Sequence, residues 1–303
     1  MSWQKTTHEI LEAAADEDRF HLYEHEVYTI LDALGERTPV WHLLQQGDEV
    51  SLDLLADFGS ERVVLKVVSS GVAHKQKLGG VKIAYKDLDY IRFQVDAMRS
   101  AFLEEGYPVA GVLMVEHVPY EKDLGNEILM GFRESVTFGP VLSFSKGGAD
   151  AEHFAENFSP PNLLLPPIDS QWSEALLSST KIHKKYLAEG KQSCIEQIVD
   201  LQVKIGELAV AFSNFFDPDG EEGRKKTGCR SREVVPGYVL KEFEVNPFVF
   251  DEDGRLIALD GYAVFEVRRG RPGRRALKPA STMQPFFRPR GIAVVGVSSS
   301  DHN

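Results

Sequence analysis

The chain has 303 residues, 43% of them hydrophobic and 26% charged, which suits a globular protein of about two domains with a sizeable core. Its formal net charge of -12 argues against a general nucleic-acid binder, because a phosphate backbone would be repelled on average. Cys194 and Cys229 fall in no zinc or redox spacing, residues 1–18 lack a signal-peptide core, and no apolar run reaches the roughly 20 residues that span a bilayer. A soluble, cytoplasmic protein is expected.

Residues 1–22 read as an N-terminal extension with weak helical character. From residue 23, Val27, Ile30, Leu31 and Leu34 recur at helical spacing, and Gly35 follows as a stop. Residues 62–69 (RVVLKVVS) are β-branched and apolar, as in a strand covered on both faces; Lys66 alone interrupts them. A polar turn follows at 70–80, holding His74, Lys75, Lys77, Gly79 and Gly80. Val81, Ile83 and Tyr85 then alternate as a returning strand. Ile91, Val95, Met98 and Phe102 mark a helix, and 109–118, 127–132 and 141–144 read as strands.

Residues 145–150 (SKGGAD) form a glycine turn, and 159–167 are proline-rich and irregular. Ile195, Ile198, Leu201, Ile205, Leu208 and Phe212 keep one face of a long helix. A loop is expected at 217–237, then a hairpin from 239–250 through a turn at 251–254 to 256–267. Residues 268–279 are basic, with the Gly and Pro of an exposed linker. An apolar strand at 292–295 enters a Gly/Ser turn where the chain stops, so a further βα unit is expected to begin there.

Binding a nucleoside triphosphate between two sheets needs a cation on a rigid strand and a glycine turn that can approach the phosphates. Lys66 sits where an unpaired ammonium would be costly, and Gly79-Gly80 and Gly147-Gly148 offer close-approach turns. Glu242, Glu244 and Asn246 alternate along one strand and so share a face. Asp260 lies on the returning strand, where a hairpin can bring it beside Asn246. Two oxygens from paired strands make a magnesium site.

These residues lie in runs with a specific likeness. VVLKVVSSGVAHKQKLGGVKI (63–83) resembles the phosphate-binding segment of the ATP-grasp module in nucleoside-diphosphate-forming acyl-CoA synthetases. NEILMGFRESVTFGPVLSFSKGGADAE (126–152) resembles that family's Glu-x-x-x-Gly, Phe-Gly-Pro and Gly-Gly stretch. KEFEVNPFVF and LIALDGYAVF resemble its closing strands, which succinyl-CoA synthetase also has. RPRGIAVVGVSSS is similar to the start of a Rossmann-like CoA-binding domain.

The resemblance implies an α/β chain with an ATP-grasp fold of two subdomains, 23–115 and 116–267. A linker at 268–285 and the first strand of a CoA-binding domain at 286–303 would follow. It implies the reaction acyl-CoA + ADP + phosphate ⇌ carboxylic acid + CoA + ATP, with ATP/ADP and Mg2+ bound here. The partner would be a CoA-binding, phosphohistidine-bearing module, in the same chain or a separate subunit, and an oligomer is expected. By the same likeness His74 relays a phosphoryl group, Lys66 holds an α- or β-phosphate, and Asn246 and Asp260 hold the metal. Glu244 orients the phosphohistidine or a metal-bound water, Glu116 meets the adenine amino group, and Glu127 meets the nucleotide or the phosphate loop. Gln76-Lys77 departs from the usual Ser/Thr-Asp, and KYLAEGKQ stands where a Gly-Tyr/Ala-Arg-Gly motif is common. The alternative is a degenerate ATP-grasp module, a sensor or scaffold within a larger protein.

Overall fold

The structure is a computed structural model describing residues 2–70, 79–122, 125–149, 151–157, 161–216 and 237–269, with Pro285, Arg288 and Gly291. His74, most of the loop expected at 217–237, and nearly all of the linker and strand expected at 268–303 lie outside the described residues. The chain divides into two compact units, Met1–Pro272 and Gly273–Asn303, and every element below belongs to the first.

The N-terminal extension is more regular than its polarity suggests. Helix α1 (Trp3–Asp16) buries Thr7, Leu11 and Ala14 along one stripe. After β1 (His21–Leu22), α2 (Glu24–Ala33) begins with the Tyr23 amide donating to Glu26 Oε2 at 2.6 Å. It ends before Gly35, which takes the left-handed φ of +81° that closes many helices. The buried face of α2 is Glu24, Val27, Tyr28, Ile30 and Leu31, so two polar groups go into the core with the aliphatic ones.

Strand β2 (Trp41–Leu44), helix α3 (Leu52–Ala56), strands β3 (Arg62–Val68) and β4 (Val81–Tyr85), helix α4 (Leu88–Glu104) and strand β5 (Gly111–Glu116) come next. They form an antiparallel sheet in the order β2-β5-β3-β4. Since β3 is paired on both sides, the pleat sorts its side chains between two layers. Val63, Leu65 and Val67 pack with Ile91, Val95, Met98 and Phe102 of α4. Val64, Lys66 and Val68 face the other way, and Val64 and Val68 join the larger core.

The remaining elements are β6 (Glu127–Ser135), β7 (Gly139–Lys146), α5 (Ala151–Asn157), β8 (Asn162–Leu164), α6 (Ser170–Ser178), α7 (Lys181–Ala188), α8 (Gln192–Ala211), β9 (Tyr238–Phe250), β10 (Leu256–Ala258) and β11 (Gly261–Val267). Their strands and β1 make a seven-stranded sheet, β1-β11-β9-β6-β7-β8 with β10 beside β9. Its pairings are antiparallel throughout. Ile195, Ile198, Leu201, Ile205 and Leu208 of α8 share one core with α2 and this sheet. Each fully buried aliphatic side chain there contributes about 1.5–3 kcal/mol of transfer free energy.

The last hairpin differs from the sequence expectation in one respect. Its return strand is split into β10 and β11 at Leu259–Asp260. Leu259 N donates to Pro247 O at 3.0 Å, but Pro247 has no N–H to give back. The ladder breaks there, and the Leu259 carbonyl is left for other donors. No helix among the described residues is long and apolar enough to cross a membrane.

Candidate nucleotide site

The Leu259 carbonyl is taken by Lys66. The Lys66 ammonium reaches across from β3 and donates to Leu259 O at 2.9 Å and to Glu24 Oε1 at 2.5 Å. The Tyr28 hydroxyl, one turn along α2 from Glu24, lies 2.5 Å from Glu24 Oε1 and 2.7 Å from Leu259 O. This group is well shielded: the side chain of Lys66 is 13% exposed and that of Glu24 9%. Burial pushes the Glu24 carboxyl up to about 7, with Lys66 opposing the shift and Asp260 adding to it. Burial also opposes the charge on Lys66, but the carboxylates of Glu24 and Asp260 outweigh it and hold the ammonium above its ordinary value. Lys66 is therefore a charged lysine fixed where the two sheets meet, with the Asp260 carboxylate near enough to be felt.

Asp260 owes its place to the register of β9 and β11. Val245 pairs with Gly261 and Glu244 with Tyr262, so the next rung sets Asn246 opposite Asp260. The Asn246 amide donates to Asp260 O at 3.0 Å. Residues directly opposite in an antiparallel pair share a face. Gly261 faces α2, where an added Cβ would meet Val27 Cγ1 at 2.5 Å. Asp260 and Tyr262 accordingly face the other way, on the side that carries Glu244 and Asn246. Glu242, further along that face, is paired with Arg133.

A glycine turn folds onto Asn246. Gly147 N donates to Glu127 O at 2.8 Å, and Gly148 N donates to Asn246 Oδ1 at 2.8 Å. A Cβ on Gly148 would lie 2.5 Å from Glu127 Oε2, and its φ of +89° is one that side chains rarely adopt. The Glu127 carboxylate also accepts from the Tyr120 hydroxyl at 3.0 Å. An amide oxygen has two lone pairs, so Asn246 Oδ1 can accept from Gly148 and still face a cation. Among the described residues there is no cluster of three or more His, Cys, Asp or Glu that could hold a metal. Asn246 and Asp260 instead offer two hard oxygens, a donor set that suits magnesium completed by phosphate oxygens and water.

The structure thus links these residues in series: Lys66 feels Asp260, Asp260 lies opposite Asn246, Asn246 Oδ1 accepts from Gly148 N in the turn packed on Glu127, and Glu244 lies two residues before Asn246 on the same face. Gly80 O accepts from Val67 N at 2.8 Å, so Gly79 and Gly80 lead the chain into β4 beside Lys66. Glu116 is not brought to this group. It pairs across from Val63 on the helix-facing side of its sheet, opposite to Lys66, and Glu116 Oε1 accepts from Ser60 N at 3.0 Å. Sequence reasoning missed Glu24, Tyr28 and the Leu259 carbonyl. A signal existed: Glu24 and Tyr28 are four apart and lie on the same stripe as Val27 and Leu31.

With this geometry in place, comparison with known proteins is direct. A model of the ATP-grasp domain matches residues 13–264. The chain belongs to the ATP-grasp family. It is 29% identical over 215 residues to acetate–CoA ligase [ADP-forming] I subunit beta of Pyrococcus furiosus, a match covering 70% of this chain and 88% of that one. It is 24% identical over 280 residues to acetate–CoA ligase [ADP-forming] II of Archaeoglobus fulgidus, covering 91% of this chain but 34% of that longer one. A solved structure of the dinucleotide-forming acetyl-coenzyme A synthetase 1 of Ca. Korarchaeum cryptofilum, in complex with coenzyme A, Ca-AMPCP and HgCl+, matches with a TM-score of 0.63 at 22% identity. That match covers 86% of this chain and 99% of the other, and it shows the fold: an ATP-grasp with antiparallel sheets.

Proposed function

We propose that this ATP-grasp chain is the nucleotide-binding part of an ADP-forming acyl-CoA synthetase. It would pass a phosphoryl group between ADP/ATP and a histidine borne by a CoA-binding module, within acyl-CoA + ADP + phosphate ⇌ carboxylic acid + CoA + ATP. The observation that carries this reading is Lys66, a buried charged lysine held beside the Asn246–Asp260 rung. Phosphoryl transfer asks mainly for positioning and for neutralisation of charge on the phosphate oxygens. Lys66 would neutralise and orient an α- or β-phosphate, and Asn246 and Asp260 would hold magnesium, which supplies charge neutralisation across the phosphates. The Gly147-Gly148 turn would keep Asn246 Oδ1 aimed, and Glu244, two residues before Asn246 on the same face, would orient the incoming phosphohistidine. His74 would be the relay that receives the phosphoryl group. The names of the relatives support the ligase reading and the use of ADP.

Titration calorimetry with magnesium-ADP tests it. The wild-type chain should bind, and Lys66→Ala should bind about 2 kcal/mol more weakly, the scale of a charge-assisted contact. Equal affinity for both proteins would remove Lys66 from the site.

A further inference from the structure

We propose that Glu24 is a positioning residue for the nucleotide: together with Tyr28 and the Leu259 carbonyl, it aims the Lys66 ammonium at the phosphates. The role rests on the nucleotide reading above and adds residues to it.

Lysine is a compact cation on a flexible four-carbon stem, so its place on β3 alone does not decide where the charge sits. Here three separate elements converge on it. β3 supplies the lysine, α2 the Glu24 carboxylate at 2.5 Å, and the β10–β11 break the Leu259 carbonyl at 2.9 Å. An ammonium has three donors in a fixed tetrahedral arrangement, so anchoring two sets the direction of the third. The carboxylate is in turn held by Tyr28, whose one hydroxyl proton is donated to Glu24 Oε1 while its oxygen lies 2.7 Å from Leu259 O. The carbonyl can serve because Pro247, across from it, has no N–H to claim it. An acid in the first turn of α2 would suit the helix dipole even if it pointed to water. Glu24 does not point to water: the residue is 8% exposed and its carboxylate meets Lys66.

The experiment measures magnesium-ADP affinity of the whole chain by calorimetry for Glu24→Leu, Glu24→Gln and Tyr28→Phe, each in the wild-type and the Lys66→Met background. Glu24→Leu should weaken binding about tenfold in the wild-type background, equivalent to 1.4 kcal/mol. Glu24→Gln keeps an oxygen that can accept from Lys66 and should stay within about threefold of wild type. Tyr28→Phe leaves the ion pair but frees the carboxylate, and should lose about threefold. In the Lys66→Met background none of the three should change affinity by more than about twofold, since the effect runs through the lysine. A merely structural role would lower melting temperature without this dependence on Lys66 and without rescue by glutamine. If Glu24→Leu fails to fold, the Tyr28→Phe pair still closes the cycle. Wild-type affinity in Glu24→Leu or Tyr28→Phe, or equal losses in both backgrounds, would overturn the role. Failure of the wild-type chain itself to bind ADP would instead bring down the nucleotide reading, and this role with it.

Discussion

A carboxyl that titrates at about 7 in the folded chain and at 4.5 ordinarily binds its proton more tightly in the folded state. Stability then falls as pH rises between those values, because the folded state gives up its proton later than the unfolded one. Glu24 should impose that slope, and Glu24→Gln should flatten it. Lys66 adds no slope in this window: its raised value means its contribution is complete below the ordinary 10.5 and is lost only above it. Thermal melts of both proteins from pH 4.5 to pH 7 would check this, and an unchanged slope in the variant would show that Glu24 titrates at its ordinary value. Lys66 was legible in the sequence because one charge in an apolar strand demands a partner. The partner was not legible. An acid at the start of a helix is common, and the lysine that Glu24 meets lies on a strand more than thirty residues further on.

The glycine turn after β7 shows how an element positions a ligand it does not itself supply. Gly147 and Gly148 let the backbone lie against Glu127 and offer an N–H to Asn246, and no residue with a Cβ fits at Gly148 without moving the Glu127 carboxylate. Gly148→Ala should therefore cost about 1–3 kcal/mol, the range for forcing a side chain into a disfavoured backbone region. Urea denaturation would read this as a lower midpoint with an unchanged slope. An unchanged midpoint would mean that the turn relaxes freely. Strands β3 and β5 to β7 and helices α2, α4 and α8 were legible, since each has an apolar period long enough to declare itself; β4 was read from the alternation of Val81, Ile83 and Tyr85, although Ile83 and Tyr85 are exposed. The short elements were not. α6 buries only Ser173 and Leu177 among its nine residues, and its capping Asp169, which accepts from Trp172 N at 2.9 Å, is a signal without an apolar stripe to support it. The split between β10 and β11 was missed for another reason: its cause, Pro247, lies on the partner strand.

At the scale of the molecule, the match covers 88% of a separate beta subunit but only 34% of a single-chain ligase, so the other parts of that ligase have no counterpart in this match. On the proposed function, the CoA site and the primary histidine belong to those parts. The chain by itself should then bind magnesium-ADP yet show no CoA-dependent turnover. Combined with a CoA-binding, phosphohistidine-bearing module and given labelled ATP, it should support formation of acid-labile, base-stable phosphate. His74→Ala should slow transfer to and from the nucleotide by at least about tenfold, 1.4 kcal/mol in the barrier. Its ADP affinity should stay within about twofold of wild type, because a relay acts in the transition state and not on ground-state binding. Rapid-quench measurement of phosphate transfer, set beside calorimetry on the same variant, separates the two effects. Wild-type transfer in His74→Ala would discard the relay and leave the phosphoryl group passing directly between the partner's histidine and the nucleotide held by Lys66.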